Sequence, residues 1–446
     1  MTVSGRFVAL LALGVVPVVL LGLGGGNDAT AYLALGGWLV LCILLGAIDL
    51  TAAASPRAVR LERTLPARVR LGAEAESELL VTNAGRRTLR GTVRDAWEPS
   101  AGAAPTRTRV SILAGERRRV VASLRPWRRG ERRVAAVTVR SWGPLHLWAR
   151  QATLEAPGRI RVLPPFTARK HLPSRLARLR ELEGSTTVLL RGQGTEFDSL
   201  REYVRGDDVR SIDWRATARR HDPTGGRGAR VMVRTWRPER DRRVVIVIDT
   251  ARTSAARVAD EPRIDTAFES SLLLAALATR AGDRVDLIAY DRVVRGRVQG
   301  ASGPELLSRM VDAMAGIEPA LIEMDWSAVP SQVAQVTSQR SLVVLLTSIE
   351  SPGASRGLLS ALPQLTAKHL VVVASVTDPD TLAATRERPN REAVYRAAAA
   401  ERSLLDVSRV AAAVRRLGGD VVTGAPADLP PALADRYLAL KAAGRL

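Results

Sequence analysis

The chain opens with two apolar runs that carry no charge, residues 7–27 and 29–48, separated only by Asp28. Each is about 20 residues, the length at which a helix crosses a hydrocarbon core of about 30 Å. The break falls at Gly24-Gly25-Gly26-Asn27-Asp28. This predicts an antiparallel transmembrane hairpin over 1–54, with helices at 7–26 and 30–49. From 55 to 165 the period drops to two. Short alternating runs at 78–82, 109–113, 119–124 and 134–139 are punctuated by Asn83-Ala84-Gly85, Ala114-Gly115 and Arg129-Gly130. From 241 to 446 the pattern changes again. Near-continuous apolar runs at 244–248, 285–290, 342–346 and 370–376, with a short one at 420–423, alternate with helical stretches such as 264–281 and 391–417.

Strands apolar on both faces are parallel strands covered by helices. Residues 241–446 therefore read as a doubly wound α/β domain. Residues 55–165, with some seven or eight strands at about ten-residue spacing, read as a β-sandwich of immunoglobulin type without the Cys–Trp–Cys pattern of antibody domains. Between them, 166–240 is a connector with a helix over 175–183.

The connector holds the most specific text in the chain, residues 192–219, where acids and arginines crowd together. Thr195 and Asp198 have capping-box spacing. Phe197, Leu200 and Val204 fall on one face of the helix this implies, and Gly206 stops it. Ser211 then caps a second helix, with Asp213 in its first turn and Trp214 and Ala218 on its buried face. The pairing of signs suggests that Arg210, Arg215 and Arg219 meet Asp207, Asp208 and Asp213, or acidic groups elsewhere in the fold. The expected role is a structural brace made by Glu196, Arg201, Tyr203, Gly206, Asp207, Asp208, Arg210, Asp213, Trp214 and Arg219. Its competitor is a metal-dependent hydrolase that uses these acids to hold cations.

Charge changes the picture in one respect. The net charge of +21 comes almost entirely from arginine. The arginines are scattered, with no long basic run and no aromatic stacking platform, so no nucleic acid is expected. An acidic membrane face suits them better. Arg6 before the apolar runs and Arg57, Arg60 and Arg63 after them place both ends of the hairpin in the cytoplasm. The expected location is the cell membrane, multi-pass, with most of the chain cytoplasmic. A cleaved signal peptide ending near the glycines is the other reading, but the second run would still anchor the product. The single cysteine, Cys42, forbids an internal disulfide, and the four histidines are far apart. No G-x-x-x-x-G-K-[ST] loop and no nucleophilic triad pattern occur, so no enzymatic activity is expected.

The first strand of the α/β domain ends in Asp249-Thr250-Ala251-Arg252-Thr253, at the carboxyl end where such sheets bind ligands. The spacing resembles the D-x-S-x-S motif of von Willebrand factor A domains, which bind Mg²⁺. Together with the run EFDSLREYVRGDDVRSIDWRATAR, the chain resembles the bacterial family called domain of unknown function 58. That resemblance implies a membrane hairpin, an immunoglobulin-like region and a von Willebrand A-like domain. It also implies a partner, a MoxR-type AAA+ ATPase. The metal motif is degenerate by the same comparison: Asp249 and Thr253 match, Ala251 replaces a serine, Met324 stands for a threonine, and Thr347-Ser348 lacks the acid. Mg²⁺ needs near-octahedral oxygen ligation. No cofactor is therefore expected, although Asp291 or Glu350 could make up part of the loss. The expected function is a membrane-anchored scaffold or adaptor that binds protein partners through the rim at Asp249, Arg252, Thr253 and Asp291.

Overall fold

The computed structural model describes residues 2–23, 28–189, 196–204, 207–219, 231–237 and 242–446. It divides into two compact units, Met1–Leu163 and Pro164–Leu446.

In the first unit, strand β1 (Thr2–Val3) leads into α1 (Gly5–Leu13) and α2 (Val15–Leu23), and α3 (Asp28–Ala52) follows. The first apolar run is thus two short helices and not one over 7–26. Pro17 has no N–H for the carbonyl four residues back. Gly14, at the join, lies so near Trp38 that a Cβ there would sit 2.1 Å from its ring. Among the described residues one helix, α3, is long and apolar enough to cross a membrane, with mean hydropathy 2.2. Phe7, Leu10 and Leu11 pack against Trp38, Cys42 and Leu45 of α3, and Trp38 Nε1 donates to the Leu10 carbonyl at 3.1 Å.

Nine strands follow: β2 (Val59–Thr64), β3 (Arg68–Arg70), β4 (Ala75–Asn83), β5 (Leu89–Trp97), β6 (Ala103–Ala104), β7 (Arg107–Ile112), β8 (Arg117–Leu124), β9 (Gly130–Trp142) and β10 (Trp148–Leu163). They form two sheets, ordered β1-β10-β9-β5-β7, with β3 beside β10, and β2-β4-β8-β6. Leu79, Val81 and Val120 of one sheet meet Val93, Val137 and Val139 of the other in one core, which makes this a sandwich. Across that core lies a buried ion pair. Arg63, 4% exposed, meets Asp95, 5% exposed, at 2.7 Å. Ser77 and the Ala156 carbonyl accept from the same guanidinium, and Trp97 Nε1 donates to the carboxylate at 3.0 Å.

In the second unit, α4 (Leu172–Leu189) precedes the charged hairpin of β11 (Glu196–Glu202), α5 (Trp214–Arg219) and β12 (Met232–Arg237). The α/β part runs β13 (Arg243–Asp249), β14 (Arg257–Val258), β15 (Glu261–Pro262), α6 (Arg263–Arg280), β16 (Arg284–Tyr290), β17 (Val294–Val298), α7 (Gly303–Ala315), α8 (Val329–Val336), β18 (Leu342–Leu346), α9 (Arg356–Thr366), β19 (Leu370–Val376), α10 (Pro379–Ala384), α11 (Arg391–Arg416), β20 (Asp420–Gly424) and α12 (Leu429–Ala442). The sheet order is β17-β16-β13-β18-β19-β20. β17 is antiparallel to its neighbour, and the other pairs are parallel. Val244, Ile246 and Ile248 face α6, α7 and α12. Val245 and Val247 face α8, α9 and α11. The strand order reverses between β13 and β18, which opens a crevice at their carboxyl ends.

Candidate functional site

The crevice is a small pocket lined by Asp249, Arg252 and Thr253 from the end of β13, by Glu323, Met324 and Trp326, and by Thr347, Ser348 and Glu350 from the end of β18. Asp249 forms its floor and is 4% exposed. One carboxylate oxygen accepts the Ala251 N–H at 2.8 Å, and the other accepts Thr347 Oγ1 at 2.6 Å and Thr253 Oγ1 at 3.4 Å. Burial pushes Asp249 above the usual carboxylate range. The donors from Thr347, Ala251 and Thr253 oppose the shift, and the charge of Asp291 adds to it. Ser254 Oγ donates to the Asp249 carbonyl at 2.6 Å and holds the loop under the strand end.

Asp291 lies behind this floor and does not reach the rim, because it is fully buried. Burial alone would raise it. Donors from Arg295, from the Arg292 and Val293 N–H groups and from Thr250 outweigh burial and hold it low. Its oxygens are thus committed inside the fold. The rim is instead an ion pair, Arg252 with Glu323, on two half-exposed side chains. Arg263 donates to Ser348 Oγ and Glu350, both at 3.1 Å. Glu323 comes 71 residues after Arg252, a separation at which no local spacing could signal the pair.

The donor set does not fit Mg²⁺. Ala251 offers no hydroxyl, Met324 brings a thioether to the pocket wall, Arg252 lines the pocket, and Arg263 reaches its Ser348 and Glu350. A hard cation needs oxygen ligands in number. Among the described residues no group of three or more His, Cys, Asp or Glu side chains is placed to hold a metal.

The charged stretch folds differently from its periodicity. The expected helix through Leu200 and Val204 is instead strand β11, antiparallel to β12 with a bulge between Phe197 and Ser199, and Val204 lies just past its end. The hydrogen-bonding partner that decides this lies 30 to 41 residues on in the chain (Glu202 pairs with Met232, Glu196 with Arg237), outside any helical window. Thr195 and Gly206 lie outside the described residues, as does the side chain of Glu196. Ser211 is not the helix cap. Asp213 caps α5 by accepting the Arg215 N–H at 3.0 Å and the Ala216 N–H at 2.9 Å. Trp214, expected in the interior, is 69% exposed, and Ala218 is exposed as well.

Acids and arginines do pair here, but with other partners. Arg201 meets Asp207 at 2.6 Å, and Arg234 meets Asp213 at 2.8 Å. Asp207 also accepts the Val204 N–H, and Asp208 accepts the Arg210 N–H. The side chains of Arg210, Arg215 and Arg219 are exposed. Half-buried Tyr203 joins the hairpin through its backbone, its N–H donating to Val231 at 2.7 Å. Asp213 is held below the usual range, first by the Ala216 N–H and then by Arg234.

Among curated proteins, the chain is similar to the uncharacterized protein Rv1480 of Mycobacterium tuberculosis and the uncharacterized protein Mb1516 of Mycobacterium bovis. Each is 24% identical over 200 residues, which cover 44% of this chain and 60% of theirs. The match thus spans less than two thirds of the curated relatives' length. Among solved structures, the CARDB domain of the PF1109 protein from Pyrococcus furiosus overlaps 23% of this chain and 91% of its own at 22% identity, with a TM-score of 0.18. The alkylpurine DNA glycosylase AlkC of Pseudomonas fluorescens overlaps 31% and 43% at 16% identity, with a TM-score of 0.16. Overlaps this low say nothing about ligands. Residues 199–416, which contain both the carboxylate pocket and most of the charged hairpin, match the family described as Protein of unknown function DUF58.

Proposed function

We propose that this protein is a membrane-anchored scaffold whose α/β unit, a degenerate von Willebrand A-like domain, docks a protein partner over the pocket at Asp249. The partner class that the resemblance implies is a MoxR-type AAA+ ATPase. The observation that carries the reading is the pocket itself. A buried carboxyl biased toward neutrality, with hydroxyls around it, sits below an exposed ion pair of both signs. Such a rim offers a partner hydrogen bonds and charge selection. Among the described residues, Asp207, Asp208 and Asp213 of the charged hairpin are spent on arginines and on backbone N–H groups, which favours a brace over a hydrolytic metal cluster. The α3 helix supplies the anchor, and α1 with α2 would complete a hairpin.

The test is capture of a purified MoxR-type ATPase on the full chain in detergent. Arg252→Ala with Glu323→Ala leaves Asp249 untouched and should weaken capture by about tenfold or more, the scale of one lost anchor contact. Unchanged capture by a folded double variant would move the contact surface elsewhere.

A further inference from the structure

We propose that one end of the β-sandwich is a lipid collar, whose turns around the foot of α3 seat in the headgroup layer of an anionic bilayer. The proposal rests on the membrane-anchored reading and adds a second membrane contact to it.

The foot of α3 is locked to the β9–β10 turn by Asp49, which is fully buried. One of its oxygens accepts the Leu145 N–H at 2.7 Å, and the other accepts those of Leu147 at 2.7 Å and Trp148 at 3.0 Å. Arg150 donates to the Leu50 carbonyl at 3.0 Å, and Arg87 donates to that of Thr51. Two cations thus close the helix end where its dipole favours them. The α1 helix starts from the same turn: Ser4 N–H donates to Leu147 at 3.0 Å, and Phe7 meets Trp148 edge-on at 5.4 Å. Two glycines permit the contact. A Cβ on Gly46 would lie 2.5 Å from the Trp148 ring, and one on Gly143 would lie 2.1 Å from the Asp49 carbonyl oxygen.

Two more turns gather at this end. Buried Asn83 donates to the carbonyls of Arg87 at 2.8 Å, Ile112 at 3.0 Å and Leu113 at 3.2 Å. It therefore ties the β4–β5 and β7–β8 turns to each other, and Arg87 ties both to α3. The tips are apolar and basic. Leu113 is 55% exposed and Leu145 47%, and Arg6, Arg86 and Arg87 are exposed beside them. Aliphatic tips and arginines at one end of the sandwich match the acyl boundary and the phosphates above it. Continuity with α3 names the occupant. A helix that enters a bilayer brings the turns clamped to its foot onto that bilayer's surface.

The experiment places a nitroxide at Leu145→Cys or Leu113→Cys in the full chain carrying Cys42→Ala. The protein is reconstituted in nanodiscs of phosphatidylcholine with or without phosphatidylglycerol. Collision with oxygen and with a water-soluble nickel chelate is read for each label. Thr106→Cys, at the opposite end of the sandwich, gives the aqueous reference, and Val40→Cys, within α3, gives the lipid reference. Labels at 113 and 145 should be shielded from nickel in the phosphatidylglycerol discs and shift toward the Thr106 reading without that lipid. Readings equal to Thr106 in both discs, with Val40 shielded, overturn the collar and leave the anchor standing. Nickel access at Val40 removes the anchor as well. Equal shielding in detergent alone means that protein covers the turns, and that also overturns the proposal.

Discussion

Asp249 shows how far one residue's surroundings govern it. Its carboxyl is raised by burial, so between the ordinary aspartate pKa and its own the folded chain holds a proton that the unfolded chain has lost. Stability falls as pH rises through that window. Asp249→Asn removes this loss, so its melting temperature relative to the parent should improve from pH 4 to pH 8. An offset that is the same at both pH values would refute the assignment. Asp213 has the opposite sign. Its depressed pKa contributes stability above the ordinary aspartate pKa, and that contribution is lost as pH falls through the folded value. Its contribution is local, so Asp213→Ala should speed hydrogen exchange at the Ala216 amide and leave global unfolding little changed. The buried Arg63 behaves otherwise. Arg63→Met would strand Asp95 in the sandwich core, at a cost of about 3 to 5 kcal/mol in denaturant unfolding.

At the scale of elements, close approach decides which residues a strand tolerates. Gly91 in β5 faces the neighbouring β9 backbone so closely that a Cβ would sit 1.8 Å from the Arg140 carbonyl oxygen. Backbone cannot move aside as a flexible side chain would. Gly91→Ala should therefore cost about 1 to 3 kcal/mol, and a neutral result in urea titration would show that the sheet flexes there. The same scale explains the β11–β12 hairpin. Its strand residues carry a spacing that fits a helix, but helix formation from so short a segment is marginal without packing. Pairing with Met232–Arg237 supplies the backbone hydrogen bonds instead.

For the whole molecule, the apolar amino-terminal helices and the excess of arginine point the same way. Between residues 55 and 163 there are 23 arginines and nine acids, and a surface of that sign is drawn to anionic headgroups. The full chain should stay with membranes through alkaline carbonate extraction. Its release into the supernatant would leave α3 without a bilayer to explain its exposed apolar face. Much of the α/β sheet was legible in the sequence. The strand runs at 244–248, 285–290 and 342–346 each lie within an observed strand of the α/β sheet, because burial on both faces leaves a continuous apolar signal. The pocket was legible only in part. Asp249, Arg252 and Thr253 line it, whereas Asp291 lies behind it and Glu323 was not expected as a partner.

Hydrophobic period, a local property of neighbouring residues, was enough to order the apolar stretch, the alternating strands and the doubly covered strands along the chain. The sequence also placed Asp249 at the end of the first α/β strand. Which charge meets which was settled by packing. Arg63 with Asp95, Arg252 with Glu323, Arg234 with Asp213 and Asp49 with the turn before β10 are contacts between segments whose separation is set by the fold. A charged side chain takes whichever partner the packed backbone brings within reach, and spacing along the chain carries no information about that distance.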